Sequence, residues 1–115
     1  MTVNIYDDIN RLDNTFRKTA EYAAVQKAVE EVKADEQALA LFKSFRELQM
    51  TLQQKQMQGE EIAGDELEYA QKTAQLVQSN AKIENMLQAE MALSGLIEEV
   101  NRVLMKSVES LYEGI

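Results

Sequence analysis

The chain has 115 residues, 45% of them apolar, and this length and composition suit one compact domain with a modest core. It has no cysteine and no histidine, which excludes disulfides and thiolate metal sites within the chain and removes the commonest general base. Its formal net charge of −8 disfavours general binding to a nucleic-acid backbone, so we expect no direct nucleic-acid contact.

Helices are favoured over strands by the scarcity of residues that turn the chain. There is no proline and there are only four glycines, so long and lightly interrupted helices are expected. We predict an all-α fold in which about five helices form a bundle with a projecting antiparallel helical hairpin, organised as a single domain over residues 1–115. No apolar run approaches the roughly 18 residues of a membrane span, and no signal-peptide core follows the N-terminus, so we expect a cytoplasmic protein without membrane association.

Two short helices are predicted before residue 34. In the first, four apolar side chains recur at steps of four, three and four, namely Ile5, Ile9, Leu12 and Phe16. Asn4 is a suitable N-cap for this helix, and Thr19 is a suitable N-cap for the next one. The chain is therefore expected to break between Lys18 and Thr19.

A long helical hairpin is predicted next, from residues 35–58 and 65–78. Asp35 is the candidate N-cap of its first helix, and Gly59 is the strongest stop signal in the chain. Because only residues 59–64 connect the two helices, they are expected to be antiparallel neighbours. The predicted packing seam of the returning helix consists of Leu67, Ala70, Ala74, Val77 and Ala81.

The final segment carries an apolar stripe that is too wide for a helix with one neighbour. A break near residues 78–80 is possible, so residues 65–106 could form one helix or two. Burial on two sides, by the N-terminal helices or by another subunit, would satisfy the stripe. We predict a homodimer or larger oligomer, and the candidate oligomer stripe consists of Leu93, Leu96, Ile97, Val100, Val103 and Leu104.

Glutamines mark both helices of the hairpin and form its candidate partner surface. They are Gln49, Gln53 and Gln56 on the first helix, and Gln71, Gln75 and Gln78 on the returning one. Folding at residues 59–64 would bring the two rows to similar heights, where amides could recognise a protein partner. The alternative is two solvated faces built from good helix formers. Burial separates these interpretations, because a buried amide row must be satisfied by hydrogen bonds.

No catalytic, cofactor or metal site is predicted. The acidic residues near the turn, Glu60, Glu61, Asp65 and Glu66, are explained by the favourable interaction of carboxylates with a helix N-terminus. Five methionines, Met50, Met57, Met86, Met91 and Met105, are interpreted mainly as core fillers. No catalytic triad, nucleotide-binding glycine motif or helix-borne metal pair occurs, so we do not expect an enzyme.

One run of residues carries a family resemblance. The segment from Phe42 to Gly59, and above all its Gln-Gln-Lys-Gln-Met-x-Gly-Glu run ending at Glu60, resembles the YheA branch of the YlbF/YmcA family of small helical bacterial proteins. Supporting similarities lie at residues 3–7, 32–36 and 71–73, and near the end at 111–112. The resemblance spans essentially the whole chain.

The resemblance implies an all-α fold, self-association and a bacterial cytoplasm, but no established activity for the YheA branch. For the YlbF and YmcA branches, the resemblance implies membership of a complex that influences development and directs an RNA-cleaving enzyme to transcripts. We therefore predict a non-catalytic oligomeric protein for protein–protein interaction or regulation, with an unidentified protein partner. The alternative is an adaptor in bacterial RNA processing that acts with a ribonuclease complex.

Overall fold

The computed structural model describes residues 2–115 and contains five α-helices in that range. They are α1 (Ile5–Phe16), α2 (Ala20–Lys33), α3 (Glu36–Met57), α4 (Gly64–Ser79) and α5 (Ala81–Ser110). No strand occurs among the described residues, and the predicted all-helical fold is confirmed. The segment left open in the sequence analysis forms two helices, since α4 and α5 are separated at Asn80. None of the described helices combines the length and apolar character that crossing a membrane requires.

Side-chain caps decide where four of the helices begin. The predicted caps Asn4, Thr19 and Asp35 each accept a hydrogen bond from a backbone N–H two or three residues further along. Asn80 does the same for α5, where its side-chain oxygen accepts from two backbone N–H groups at 3.1 Å. These bonds satisfy amides that have no partner inside the helix, which explains the restart at Asn80.

Gly59 produces the turn between α3 and α4. Its φ of 71° lies in the left-handed region, which a residue with a Cβ rarely adopts. The Gly59 N–H donates to the carbonyl of Gln56, and the Glu60 N–H donates to the carbonyl of Lys55 at 2.9 Å. This pair of bonds is a Schellman motif, which closes the end of a helix. The chain then reverses, and α3 and α4 pack as the predicted antiparallel hairpin.

The chain divides into two compact units. One contains the residues up to Gln26 together with Gln88–Ile115, and the other is Lys27–Leu87. Every fully buried side chain in the described residues belongs to the second unit; these are Ala28, Val32, Ala38, Thr73, Val77, Ile83 and Met86. The prediction of one domain over residues 1–115 stays a prediction.

The seam of α4 differs in part from the predicted one. Val77 is buried and Ala70 and Ala74 are half-buried, as predicted, but Leu67 and Ala81 are exposed. Thr73 is buried instead, and its hydroxyl donates to the carbonyl of Tyr69 at 2.8 Å. A threonine can join the seam because its own helix satisfies its hydroxyl.

The first unit has no fully buried side chain among its described residues. Its best-defined contact is between the rings of Phe16 and Tyr22, whose centroids lie 5.7 Å apart in an edge-to-face arrangement. Phe16 ends α1 and Tyr22 lies in the first turn of α2, so the contact spans the break between these helices. The unit is therefore organised, but much of its apolar surface stays in water.

Asp35 links the start of α3 to the start of α5. Besides capping α3, its carboxylate accepts a hydrogen bond from the Lys82 ammonium at 3.1 Å. The backbone N–H of Ala38, followed by Lys82, holds the pKa of Asp35 below its ordinary value of 3.8. A lowered folded-state pKa stabilises the fold above pH 3.8, and this contribution is lost as the pH falls through the folded-state value.

We therefore expect Asp35→Asn to lower the free energy of unfolding at pH 7, and the difference from wild type to shrink as the pH falls below about 4. Asparagine is also a good N-cap, so this substitution removes the charge and keeps the cap. Denaturant unfolding at pH 7 and pH 3 measures the difference. Glu36→Gln, which removes a neighbouring carboxylate, should show a smaller effect at pH 7. A difference that is independent of pH would contradict the role of the charge.

Candidate interaction surfaces

The six glutamines of the candidate partner surface are all exposed in the chain. The half-buried positions of α3 that precede or alternate with them are Phe45, Leu48, Leu52 and Lys55. On α3 and α4 within the described residues, the side chains that donate hydrogen bonds are those of Thr51, Lys55, Thr73 and Ser79, and none of these bonds joins the two glutamine rows. The rows are therefore open to solvent in a single chain, and their role as a partner surface stays a prediction.

The outer face of α3 is apolar as well as amide-rich. Met50, Gln53, Gln54 and Met57 line a shallow depression of about 260 Å³ on this helix. Both methionines are exposed, as are Met91 and Met105, and only Met86 is buried. The interpretation of these methionines as core fillers is therefore wrong for four of the five. Exposed thioethers beside amides form a surface that adapts to a partner's shape.

One ion pair crosses the hairpin near the turn. The Lys55 ammonium lies 2.5 and 2.6 Å from the two carboxylate oxygens of Glu66, and the side chains are 25% and 36% exposed. The pair joins the last turn of α3 to the first turn of α4 and fixes their relative height. The other acidic residues near the turn form no metal cluster, since no group of three or more potential ligands occurs within residues 2–115.

Three of the six side chains in the candidate oligomer stripe are partly covered within the single chain. Leu93, Leu96 and Val100 are half-buried, whereas Ile97, Val103 and Leu104 are exposed. The apolar surface continues beyond the predicted set to Val108, Leu111 and Tyr112, which are also exposed. The sequence showed the spacing of these residues, but it did not show that the exposed apolar surface extends this far towards the C-terminus.

An apolar groove lies between α1 and α5 in the first unit. It has a volume of about 250 Å³ and is lined by Ile9, Leu12, Asp13, Phe16, Ile97, Val100 and Asn101. Its two polar residues are Asp13 on α1 and Asn101 on α5. A groove of this size and lining can accept an apolar side chain from a partner.

Charged side chains of α5 are kept away from this groove. Arg102 donates to the carboxylate of Glu99 one turn earlier, which lowers the pKa of Glu99 and raises that of Arg102. Both residues lie on the face of α5 opposite Leu104, because 100° of rotation per residue puts them about 140–160° away from it.

Comparison with known proteins identifies the family. Residues 5–109 match the family model described as control of competence regulator ComK, YlbF/YmcA. The chain belongs to the YlbF/YmcA family. This finding confirms the resemblance seen in the run around Lys55.

Relatives within the YlbF/YmcA family are similar over their whole length. The chain is 62% identical to a UPF0342 protein of Lysinibacillus sphaericus over 98% of each sequence. It is 44% identical to the UPF0342 protein YheA of Bacillus subtilis, over all of this chain and 98% of that protein. The names of these relatives indicate no catalytic activity.

Two solved structures share the fold. A Bacillus stearothermophilus protein of unknown function (DUF964) aligns with a TM-score of 0.85 and 32% identity, over 96% of this chain and 97% of the other. The yheA structure from Bacillus subtilis aligns with a TM-score of 0.73 and 35% identity, over 96% and 100%. The five-helix arrangement is thus a property of this YheA-like group of the YlbF/YmcA family.

We expect the Lys55–Glu66 pair to show a measurable coupling energy of about 1 kcal/mol or less, because it is partly shielded from solvent. Lys55→Met, Glu66→Gln and the double variant form the thermodynamic cycle, measured by denaturant unfolding. The Lys72–Glu68 pair, which is exposed and within α4, is the matched control and should couple more weakly. Equal coupling in both pairs would show that Lys55 does not fix the hairpin.

Proposed function

We propose that this protein is a non-catalytic regulatory protein that self-associates and acts by binding a protein partner. One observation carries the proposal. The first unit has no fully buried side chain among its described residues, and the second half of α5 and the turn that follows it expose a continuous row of apolar side chains. Leu104 is 59% exposed and Leu111 is 77% exposed.

Self-association is supported by the free energy of leaving this row in water. Each square ångström of apolar surface removed from water contributes roughly 25 cal/mol, so several leucine and valine side chains together favour association strongly. Contiguous apolar surface on a small protein marks an interface more often than a solvated face. A second copy is the partner that is always present.

The regulatory role is supported by family membership and by charge. The family model is described by control of the competence regulator ComK, and the relatives' names indicate no reaction. Six of the twelve basic residues lie within salt-bridge distance of a carboxylate, as the six ion pairs each use a different one. The net charge of −8 and this pairing favour a protein partner over a nucleic acid.

The alternative, an adaptor in RNA processing, rests on the same family membership. Salt-dependent binding of RNA to the purified protein would be its signature if the chain touched RNA itself. An adaptor that binds only the ribonuclease would instead be a case of the protein-binding role proposed above.

For self-association, we expect a dimeric mass at micromolar concentration in light scattering, and Leu104→Glu should reduce it to a monomer while circular dichroism stays helical. A glutamate at this exposed position is tolerated in the single chain but would be buried without a partner in an interface. Leu76→Glu is the matched control, since Leu76 is exposed to a similar degree, at 58%, but lies on α4. A monomeric wild type, or equal effects of both variants, would overturn the proposal.

For partner binding, we expect the triple variant Gln49→Ala/Gln53→Ala/Gln56→Ala to lose one specific protein in affinity capture from native lysate. Its free energy of unfolding should change by less than about 0.5 kcal/mol, because these amides are exposed and alanine favours helices. Gln71→Ala/Gln75→Ala/Gln78→Ala tests the other row separately. Unchanged captured proteins in both variants would assign the glutamines to a solvated face.

A further inference from the structure

The charged residues of the second half of α5 share one face of the helix. They are Glu98, Glu99, Arg102, Lys106 and Glu109. At 100° per residue, the directions of all five fall within an arc of about 100°. The opposite arc, of about 80°, contains Ile97, Val100, Leu104 and Val108 and has no ionisable group, and Leu111 follows in the turn directly after the helix.

This uncharged face carries both a groove and side chains that could fill one. The groove between α1 and α5 is bordered by Ile97, Val100 and Asn101. About three to four turns further along, Leu111 directly follows Ser110, the last residue of α5, and is 77% exposed. A hole and a knob on the same face of one helix are the requirement for a self-complementary, two-fold contact.

We infer that the occupant of the α1–α5 groove is Leu111 of a second copy, in an antiparallel pairing of the two α5 helices. This inference rests on the self-association proposed above and specifies its geometry. The two-fold axis passes beside residue 106, so that Leu104 of each copy lies against Val108 of the other. At that register Leu111 of one copy falls among residues 97, 100, 101 and 104 of the other copy, as a knob in a four-residue hole.

The distribution of charge favours a second copy over an acidic or basic partner. The contact arc of α5 has no ionisable group, and the one carboxylate that borders the groove, that of Asp13 on α1, is already paired with Arg17 at 3.2 Å. A charged partner would therefore find no free counter-charge there and would bury its own charges without compensation. Two copies of the same uncharged arc bring no like charges together. The five charged side chains in the second half of each α5 remain on the solvent side.

Cysteine cross-linking tests the register, and the absence of native cysteine makes it selective. Val100→Cys and Leu111→Cys chains with different tags are co-expressed, purified as mixed assemblies and oxidised. We expect a disulfide between the two variants and none in either variant alone. In the antiparallel register, the two copies of residue 100 are about 18 Å apart and those of residue 111 about 15 Å apart, beyond disulfide reach.

Arg102→Cys co-expressed with Glu109→Cys is the matched control, because these positions have the same axial relation on the charged face of α5 and should not cross-link. A disulfide in the Val100→Cys variant alone would indicate parallel helices and overturn the inference. A dimeric mass in light scattering without the mixed disulfide would also overturn it, while self-association itself would stand. A monomeric mass would overturn both proposals.

Discussion

The left-handed backbone at Gly59 is the constraint on which the second unit depends. A residue with a Cβ would resist this conformation, and the Schellman bonds that end α3 would be strained. With the turn formed, α4 runs back along α3, Lys55 reaches Glu66, and Val77 becomes buried. In the described part of the first unit no left-handed residue lies between α1 and α2, and the apolar faces of α1 and α5 remain open.

Local features were predictable from sequence because their causes are local. Asn4, Thr19 and Asp35 cap helices through bonds to residues only two or three positions away, and Gly59 needs no distant partner. The seam of α4 was predicted less well. Small and apolar residues lie on both sides of α4, so periodicity alone could not fix the rotation of the helix about its axis. Thr73 is buried in the structure, whereas Leu67 is exposed.

The surfaces were predictable as patterns but not as exposed areas. Periodicity identified the stripe on α5, yet which of its members are covered depends on the tertiary packing around the helix. The methionines show the same limit, because composition suggested core fillers while Met50 and Met57 lie on the outer face of α3. Whether the glutamine rows are used depends on a second molecule, which no single sequence describes.

The segregation of charge on α5 has a consequence for control of the protein. The α5 face has no ionisable group, and the one carboxylate at the groove, that of Asp13, is paired with Arg17 of the same chain, so salt and pH have little influence on the affinity of such an interface. Assembly by such a face responds mainly to mass action, since association rises with the amount of chain present. The fraction of chains in the assembled form would therefore follow the concentration of the protein. That fraction would be set by the rates of synthesis and degradation more than by the ionic state of the surroundings.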